Sequence, residues 1–315
     1  MEEQKSHATP GKKRSAITIV ALFLLLLGLL PALLPGGYRA VWHSIYSAAG
    51  LSDFSSVADA YPMSVHVLEV GKADAILVEC EGRYLLVDGG TPDQGEAVCR
   101  YLARRGVQQI DYVVNTHPDS DHVGGLRAVV EEFSVGRYLM PQLPQALLPN
   151  DFAYTDTVRA LEQKEIPIEY VRGGDTLELG RLSVQVLAPL QLRNSTNDNS
   201  VVLMLVFENT RFLLMGDAEA GEESDLLESG VDLRADVLKV GHHGSKTSST
   251  LAFLNAVRPQ YAAVSVADST HGLPNRDVLN RLKKFTSSIA RTDVSGTLLY
   301  CSDGQTVICQ TERVG

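Results

Sequence analysis

The chain has 315 residues, 44% of them hydrophobic and 21% charged, with a formal net charge of −10. That length holds one large domain or two small ones, and the composition excludes a disordered or low-complexity chain. Residues 1–60 carry five basic and four acidic side chains, so the remainder holds −11, which excludes nucleic-acid binding by bulk electrostatics; any polyanion would need bound cations to supply the attraction locally.

Lys12, Lys13 and Arg14 stand before an uncharged stretch, 16–38, whose centre reads ITIVALFLLLLGLLPALL. A run of roughly 20 apolar residues spans a hydrocarbon core of about 30 Å. The basic flank stays cytoplasmic, which places everything after the run outside. The expected organisation is a basic cytoplasmic segment at 1–15, a transmembrane anchor or signal sequence at 16–38, a linker at 39–61 and one domain from 62 to 315. The run is longer than a usual signal core, which favours a single-pass anchor. Cleavage near Ser47-Ala48-Ala49 would instead secrete the domain. Cys80, Cys99, Cys301 and Cys309 form no C-x-x-C pair, so a zinc ribbon is excluded, while disulfides and buried thiols both stay open.

Along the domain, SVHVLEV at 64–70 alternates as a half-buried strand does, and 75–79 and 84–87 follow as strands, the latter ending in Asp88-Gly89-Gly90. Helical spacing covers 95–104. A short apolar strand, 111–115, leads into His117-Pro-Asp-Ser-Asp-His122. A helix at 123–132 and a strand at 137–140 come next, then a loop and a helix near 155–164. Strands are expected at 182–187, 200–208, 212–215, 235–240, 261–266, 298–301 and 306–310, with Asp303-Gly304 as a hairpin turn between the last two. Helices are expected at 250–257 and 277–284. Two groups of strands with helices interspersed predict two packed sheets with helices outside, a four-layer αββα sandwich.

Carboxylates and imidazoles gather at strand ends: Asp88, then His117, Asp119, Asp121 and His122, then Asp217, then His242 and His243. Neighbouring strand ends in a sheet lie close, so these residues can converge. Imidazole with carboxylate suits Zn²⁺, Mn²⁺ or Fe²⁺. Two divalent cations about 3.5–4 Å apart can activate a bridging water and clamp an ester oxygen.

The order Asp88-Gly-Gly, His117-x-Asp-x-Asp-His122, Gly216-Asp217 and Gly241-His-His-Gly-Ser245 resembles the metallo-β-lactamase fold superfamily. THPDSDHVGG, Asn197-Asp-Asn-Ser200, MGDAE and LKVGHHGSKTSS make it most similar, across nearly all of 62–310, to the hydrolase domain of ComEC-type DNA-uptake proteins. The resemblance implies His117 and Asp119 at a first metal, Asp121 and His122 at a second, and Asp217 bridging. His242 is assigned to the second metal and His243 to substrate, since His242 directly follows the strand and its glycine. Asp88 is expected behind the ligands, orienting them. Lys246, Ser245 and His271 are expected near substrate, with Asn199 lining the cleft. The sequence departs from the wider superfamily in two places. Asp119 stands where most members have histidine, and Asp198-Asn199-Ser200 offers no third histidine to the first metal. An oxygen-rich first site favours Mn²⁺ over a strict di-zinc centre and argues against β-lactam hydrolysis.

The resulting expectation is a membrane-anchored, extracytoplasmic metal-dependent phosphodiesterase or nuclease, using two divalent ions (Zn²⁺ or Mn²⁺) and a hydroxide held between them. Its partners would be a phosphodiester, DNA included, and the membrane through the N-terminal helix. The alternatives are a phosphoesterase for cell-wall or lipid head groups and a non-catalytic competence-related binding module.

Overall fold

The computed structural model describes residues 57–267 and 272–313. The segments 1–15 and 16–38, most of the linker at 39–61, and His271 lie outside the described residues. Among the described residues no helix is long and apolar enough to cross a membrane.

The strands run, in chain order, Met63–Val67 (β1), Ile76–Cys80 (β2), Arg83–Val87 (β3), Gln109–Val114 (β4), Ser134–Pro141 (β5), Ile168–Val171 (β6), Thr176–Leu179 (β7), Leu182–Ala188 (β8), Val202–Phe207 (β9), Thr210–Leu214 (β10), Val237–Lys239 (β11), Tyr261–Val264 (β12), Ser288–Arg291 (β13), Leu298–Ser302 (β14) and Val307–Thr311 (β15). They form an eight-stranded sheet ordered β15-β14-β1-β2-β3-β4-β5-β6 and a seven-stranded sheet ordered β13-β12-β11-β10-β9-β8-β7. The helices are Gly95–Arg104 (α1), Ser120–Val123 (α2), Leu126–Glu132 (α3), Phe152–Gln163 (α4), Ala220–Glu228 (α5), Leu251–Val257 (α6), Arg276–Leu282 (α7) and Thr292–Ser295 (α8).

The period of two along each strand sorts side chains between layers. Val65, Val78, Leu85 and Val87 face inward and meet Leu203, Leu205, Phe212 and Leu214 of the other sheet in one core. The intervening Leu77, Leu86 and Val113 face outward and pack against Leu102 of α1, Val129 of α3 and Leu161 of α4. On the far side, Leu213, Leu238 and Ala262 pack against Leu226 of α5, Phe253 of α6 and Leu282 of α7. Three cores thus separate four layers, the expected αββα sandwich.

The expected strands are present, and three more appear: β6, β7 and β13. Each lies at an edge of its sheet and each is partly exposed, so none carries the apolar signal of a buried strand. Helix α5 also escapes sequence reading. It turns Glu222 and Glu223 inward beside Leu226, which hides its apolar face. All four cysteines are free thiols, so the disulfide alternative is not realised.

Both sheets contain a parallel half, β3-β4-β5-β6 in one and β10-β11-β12-β13 in the other. Parallel strands present their carboxyl ends along one edge. Asp88 follows β3, Asn115 to His117 follow β4, Asp217 follows β10 and the 241–244 turn follows β11.

Candidate metal centre

The loop after β4 is pinned before it reaches its ligands. Asp88 takes a left-handed backbone with φ 59°, uncommon for a residue with a side chain. Its carboxylate accepts from Thr116 N at 2.8 Å, Thr116 Oγ1 at 2.7 Å and Asn115 Nδ2 at 3.2 Å. Asn115 Nδ2 also donates to His117 O at 2.7 Å. The Gly124-Gly125 pair then lets the chain cross the Asp88 turn, since a Cβ at Gly125 would stand 2.0 Å from Gly89 O. Gly89 N donates to His122 O (2.8 Å) and Gly125 N to Gly90 O (3.0 Å).

Within this frame three histidines have the same polarity. His122 Nδ1 donates to Asp88 Oδ2 at 2.8 Å. His117 Nδ1 faces Thr116 Oγ1 at 3.1 Å and Ser200 Oγ at 3.4 Å. His243 Nδ1 donates to Ser265 O at 3.0 Å. In the neutral ring with its proton on Nδ1, Nε2 carries a lone pair, and this is the tautomer a metal ligand needs. All three Nε2 atoms are buried and make no hydrogen bond, as is true of Asp217 Oδ1. Buried polar atoms are rarely left unpaired, and here the orphans converge.

Asp217 stands between them. Its Oδ1 lies 3.2 Å from His122 Nε2 and 3.5 Å from His243 Nε2. Its Oδ2 lies 3.9 Å from His117 Nε2 and 3.7 Å from His242 Nε2. Asp119 Oδ2 is 3.7 Å from His117 Nε2, and Asp121 Oδ2 is 3.6 Å from His243 Nε2. Among the described residues three groups come close enough to hold a cation: His117, His122 and Asp217; Asp121, His122 and His243; and Asp74, Asp88 and His122. In the third, Asp74 is engaged by Lys239, and Asp88 by Thr116 and by His122 Nδ1. With Asp217 within 3.9 Å of all four imidazole Nε2 atoms, the donor set fits two divalent ions.

The electrostatics show the same demand for positive charge. Burial alone would push the Asp217 carboxyl up, yet the imidazoles of His243, His122 and His117 hold it well below the usual carboxylate range. Burial would lower His122, but Asp217 and Asp88 raise it well above an ordinary imidazole. His117 is lowered, first by burial and then by the neighbouring His122.

Of the histidine pair, it is His243 and not His242 that the geometry brings to Asp121 and His122. His242 and His243 both have left-handed backbones, φ 48° and 52°. Two such residues in succession turn the second side chain inward. His243 is buried and joins Asp121 and His122. The His242 ring stays partly exposed, its Nδ1 donating to Glu219 Oε1 at 2.9 Å, and Thr247 Oγ1 donates to the same oxygen at 2.7 Å. The turn, and not adjacency to the strand, sets which of the two side chains points inward.

Other expected residues divide. Asn199 is buried but does not line a cleft: Arg193 N donates to its Oδ1, and its Nδ2 donates to the carbonyls of Arg193 and Ser195. Ser200 sits behind the site, its Oγ 3.4 Å from His117 Nδ1 and accepting from Asp217 N at 3.2 Å. Ser245 Oγ pairs with Thr247 Oγ1 at 2.9 Å, and Lys246 is exposed on the same turn. Three residues at the site carried no sequence signal. Lys72 Nζ donates to Asp121 Oδ2 at 2.7 Å. Asp74 and Lys239 form a buried pair at 2.7 Å, and Asp74 Oδ1 lies 3.7 Å from His243 Nδ1. Asp74 and Lys72 sit in the turn between β1 and β2, which no metal-type spacing marks.

Residues 68–267 match the family model described as Metallo-beta-lactamase superfamily. The chain is 29% identical over 256 residues to ComE operon protein 3 of Bacillus subtilis (strain 168), covering 75% of this chain and 32% of that protein. It is 31% identical over 300 residues to Competence protein ComA of Neisseria gonorrhoeae, covering 94% of this chain and 40% of that protein. Both are ComEC-type competence proteins, as the motifs implied. The chain thus spans well under half the length of these curated relatives. Among solved structures, Igni18, a metallo hydrolase from the hyperthermophilic archaeon Ignicoccus hospitalis, shares the fold at a TM-score of 0.50 and 13% identity, covering 75% of this chain and 98% of that one.

Proposed function

This chain belongs to the metallo-beta-lactamase superfamily, and from that premise we propose that it is a metal-dependent phosphodiesterase, acting on DNA or another phosphodiester polymer outside the cytoplasm, with residues 16–38 as its membrane anchor. The observation that carries the reading is the convergence of three unpartnered, buried Nε2 atoms on the Asp217 carboxylate.

His117 and Asp119 would hold the first cation, with His242 on the same side of Asp217. Asp121, His122 and His243 would hold the second, and Asp217 would reach both. Bound there, two divalent cations supply Lewis acidity and a water of lowered pKa. The chain's own residues do the rest. Asp88 fixes the His122 ring and, through Thr116, the His117 ring. Ser265 O fixes His243, and Glu219 fixes His242. Each ring thus presents its lone pair without reorganising. Asp119, Asp121 and Asp217 are acceptor-only groups that would repel a phosphate by themselves. With four positive charges offset against them, the site becomes locally attractive while the surface stays acidic. With His242 counted, each position offers two imidazoles and two carboxylates, Asp217 included in both, a donor set that suits Zn²⁺ or Mn²⁺.

The full chain loaded with Mn²⁺ is expected to cleave bis(p-nitrophenyl) phosphate, and Asp121→Ala to abolish that turnover. Bound metal with no turnover under Mn²⁺ or Zn²⁺ would instead support a binding module. Cleavage of small phosphate esters but not of DNA would support a head-group phosphoesterase.

A further inference from the structure

Around the metal-type residues, negative charge predominates. Asp74, Asp88, Asp119, Asp121, Asp217 and Glu219 all lie within this cluster. Two lysines touch it. Lys239 is buried and engaged by Asp74 Oδ2 and by Val240 O. Lys72 differs, because 32% of its side chain is exposed to solvent while its Nζ lies 2.7 Å from Asp121 Oδ2.

The position of Lys72 is built by the fold. It sits in the β1–β2 connection after Gly71, whose φ is 80°. Two backbone hydrogen bonds tie that connection to the metal-type loops: Asp74 N donates to Asp121 O at 3.2 Å, and Gly90 N donates to Asp74 O at 2.7 Å. The backbone beneath Lys72 is therefore fixed against the site, while its long side chain keeps a solvent-facing length free to pivot. Its ammonium meets the same Asp121 oxygen that lies 3.6 Å from His243 Nε2. A monovalent cation thus stands against the carboxylate that a divalent cation at that position would need.

We propose that Lys72 is the anion-binding residue of this site: it neutralises Asp121 while the metal position is empty, and turns to a non-bridging oxygen of a phosphate ester when cations occupy the site. This deepens the phosphodiesterase reading and rests on it for the identity of the substrate. An ammonium and a divalent cation cannot share one carboxylate oxygen without repulsion, so metal binding frees the lysine. A freed ammonium then has few alternatives in a cluster whose other acceptors face the metals. The incoming phosphate supplies one.

The test uses the full chain, Mn²⁺ and inorganic phosphate, and reads binding by calorimetry. Lys72→Met should tighten the weaker Mn²⁺ equivalent by about fivefold or more, because a repelling charge is gone. It should weaken phosphate binding to the Mn²⁺-loaded protein by about tenfold, in line with loss of one charge-assisted hydrogen bond. Lys72→Arg should keep phosphate within about threefold of wild type, since it keeps the charge. Unchanged Mn²⁺ and phosphate binding in Lys72→Met would overturn the proposal, as would equal loss in Lys72→Arg. Should phosphate binding depend on Lys72 while no phosphodiester is cleaved by the wild type, the inference stands and the phosphodiesterase reading falls.

Discussion

Buried histidines occupy two polar clusters: His66 on the outer face of β1 in the eight-stranded sheet, and His117, His122 and His243 in the loops after β4 of that sheet and β11 of the other. His66 is fully buried, and both its ring nitrogens are paired: Nε2 with Ser64 Oγ at 2.9 Å and Nδ1 with Tyr101 Oη at 2.8 Å. Behind it, Arg105 donates to Glu79 at 2.6 and 3.0 Å and to Asp59 at 3.0 Å. His117, His122 and His243 are equally buried, yet each pairs only Nδ1. Burial is thus no mark of a ligand. The mark is a buried nitrogen whose partner is missing and whose lone pair is aimed at others like it. His66 serves the fold with both ring nitrogens paired, whereas the second cluster leaves its Nε2 atoms for a ligand.

The comparison breaks if the second cluster proves structural. His243→Ala should therefore remove the second metal equivalent and lower kcat by about a thousandfold, the loss of several kcal/mol of charge stabilisation, while circular dichroism stays native. His242→Ala should cost much less in second-site binding. If the two variants lose the same equivalent to the same degree, the assignment of His243 to the second position fails.

The first cluster should respond in the opposite sense. Arg105→Met leaves Glu79 without its bidentate partner and should lower stability by about 3–5 kcal/mol, read by urea denaturation, with metal stoichiometry unchanged. A change in stoichiometry would mean that the clusters are coupled and the contrast false.

The smallest effect sharpens the contrast by pH. Burial, and to a lesser degree Arg105, lowers the His66 imidazole to about 4 against the opposing pull of Glu79. The unfolded chain, with an ordinary imidazole near 6.5, then binds more protons than the folded one between about 4 and 6.5. Stability contributed by neutral His66 is present above pH 6.5 and is lost as pH falls through this window, by up to about 3 kcal/mol. His66→Phe should flatten that part of the stability–pH curve, and an unaltered slope would count against the assignment.

Much of the fold could be read before any coordinates. Buried strands such as 75–79 (AILVE) and 212–215 (FLLM) read as short continuous apolar runs, the pattern of strands covered on both faces. The strands that stayed hidden, β6, β7 and β13, are edge strands whose pairing on one side supplies the stability that their own side chains do not. Helix α5 stayed hidden for another reason. Glu223 faces inward because Ser249 N and Thr250 N donate to it from the loop before α6. Burial pushes its carboxyl up to about 7.

At the site, the loop His117 to His122 marked the place of the cluster, because four candidate ligands fall within six residues. The sequence likewise determined the order of the strand-end motifs. Only the tertiary structure decided which member of the 242–243 pair turns inward, since two left-handed residues reverse the direction that strand adjacency suggested. Only the tertiary structure brought Lys72 to Asp121 and Asp74 to Lys239 across 49 and 165 residues of chain. The physical reason is the same in each case. Residue type is local and written in the sequence, whereas charge neutralisation and side-chain direction depend on what distant turns place within a few ångströms.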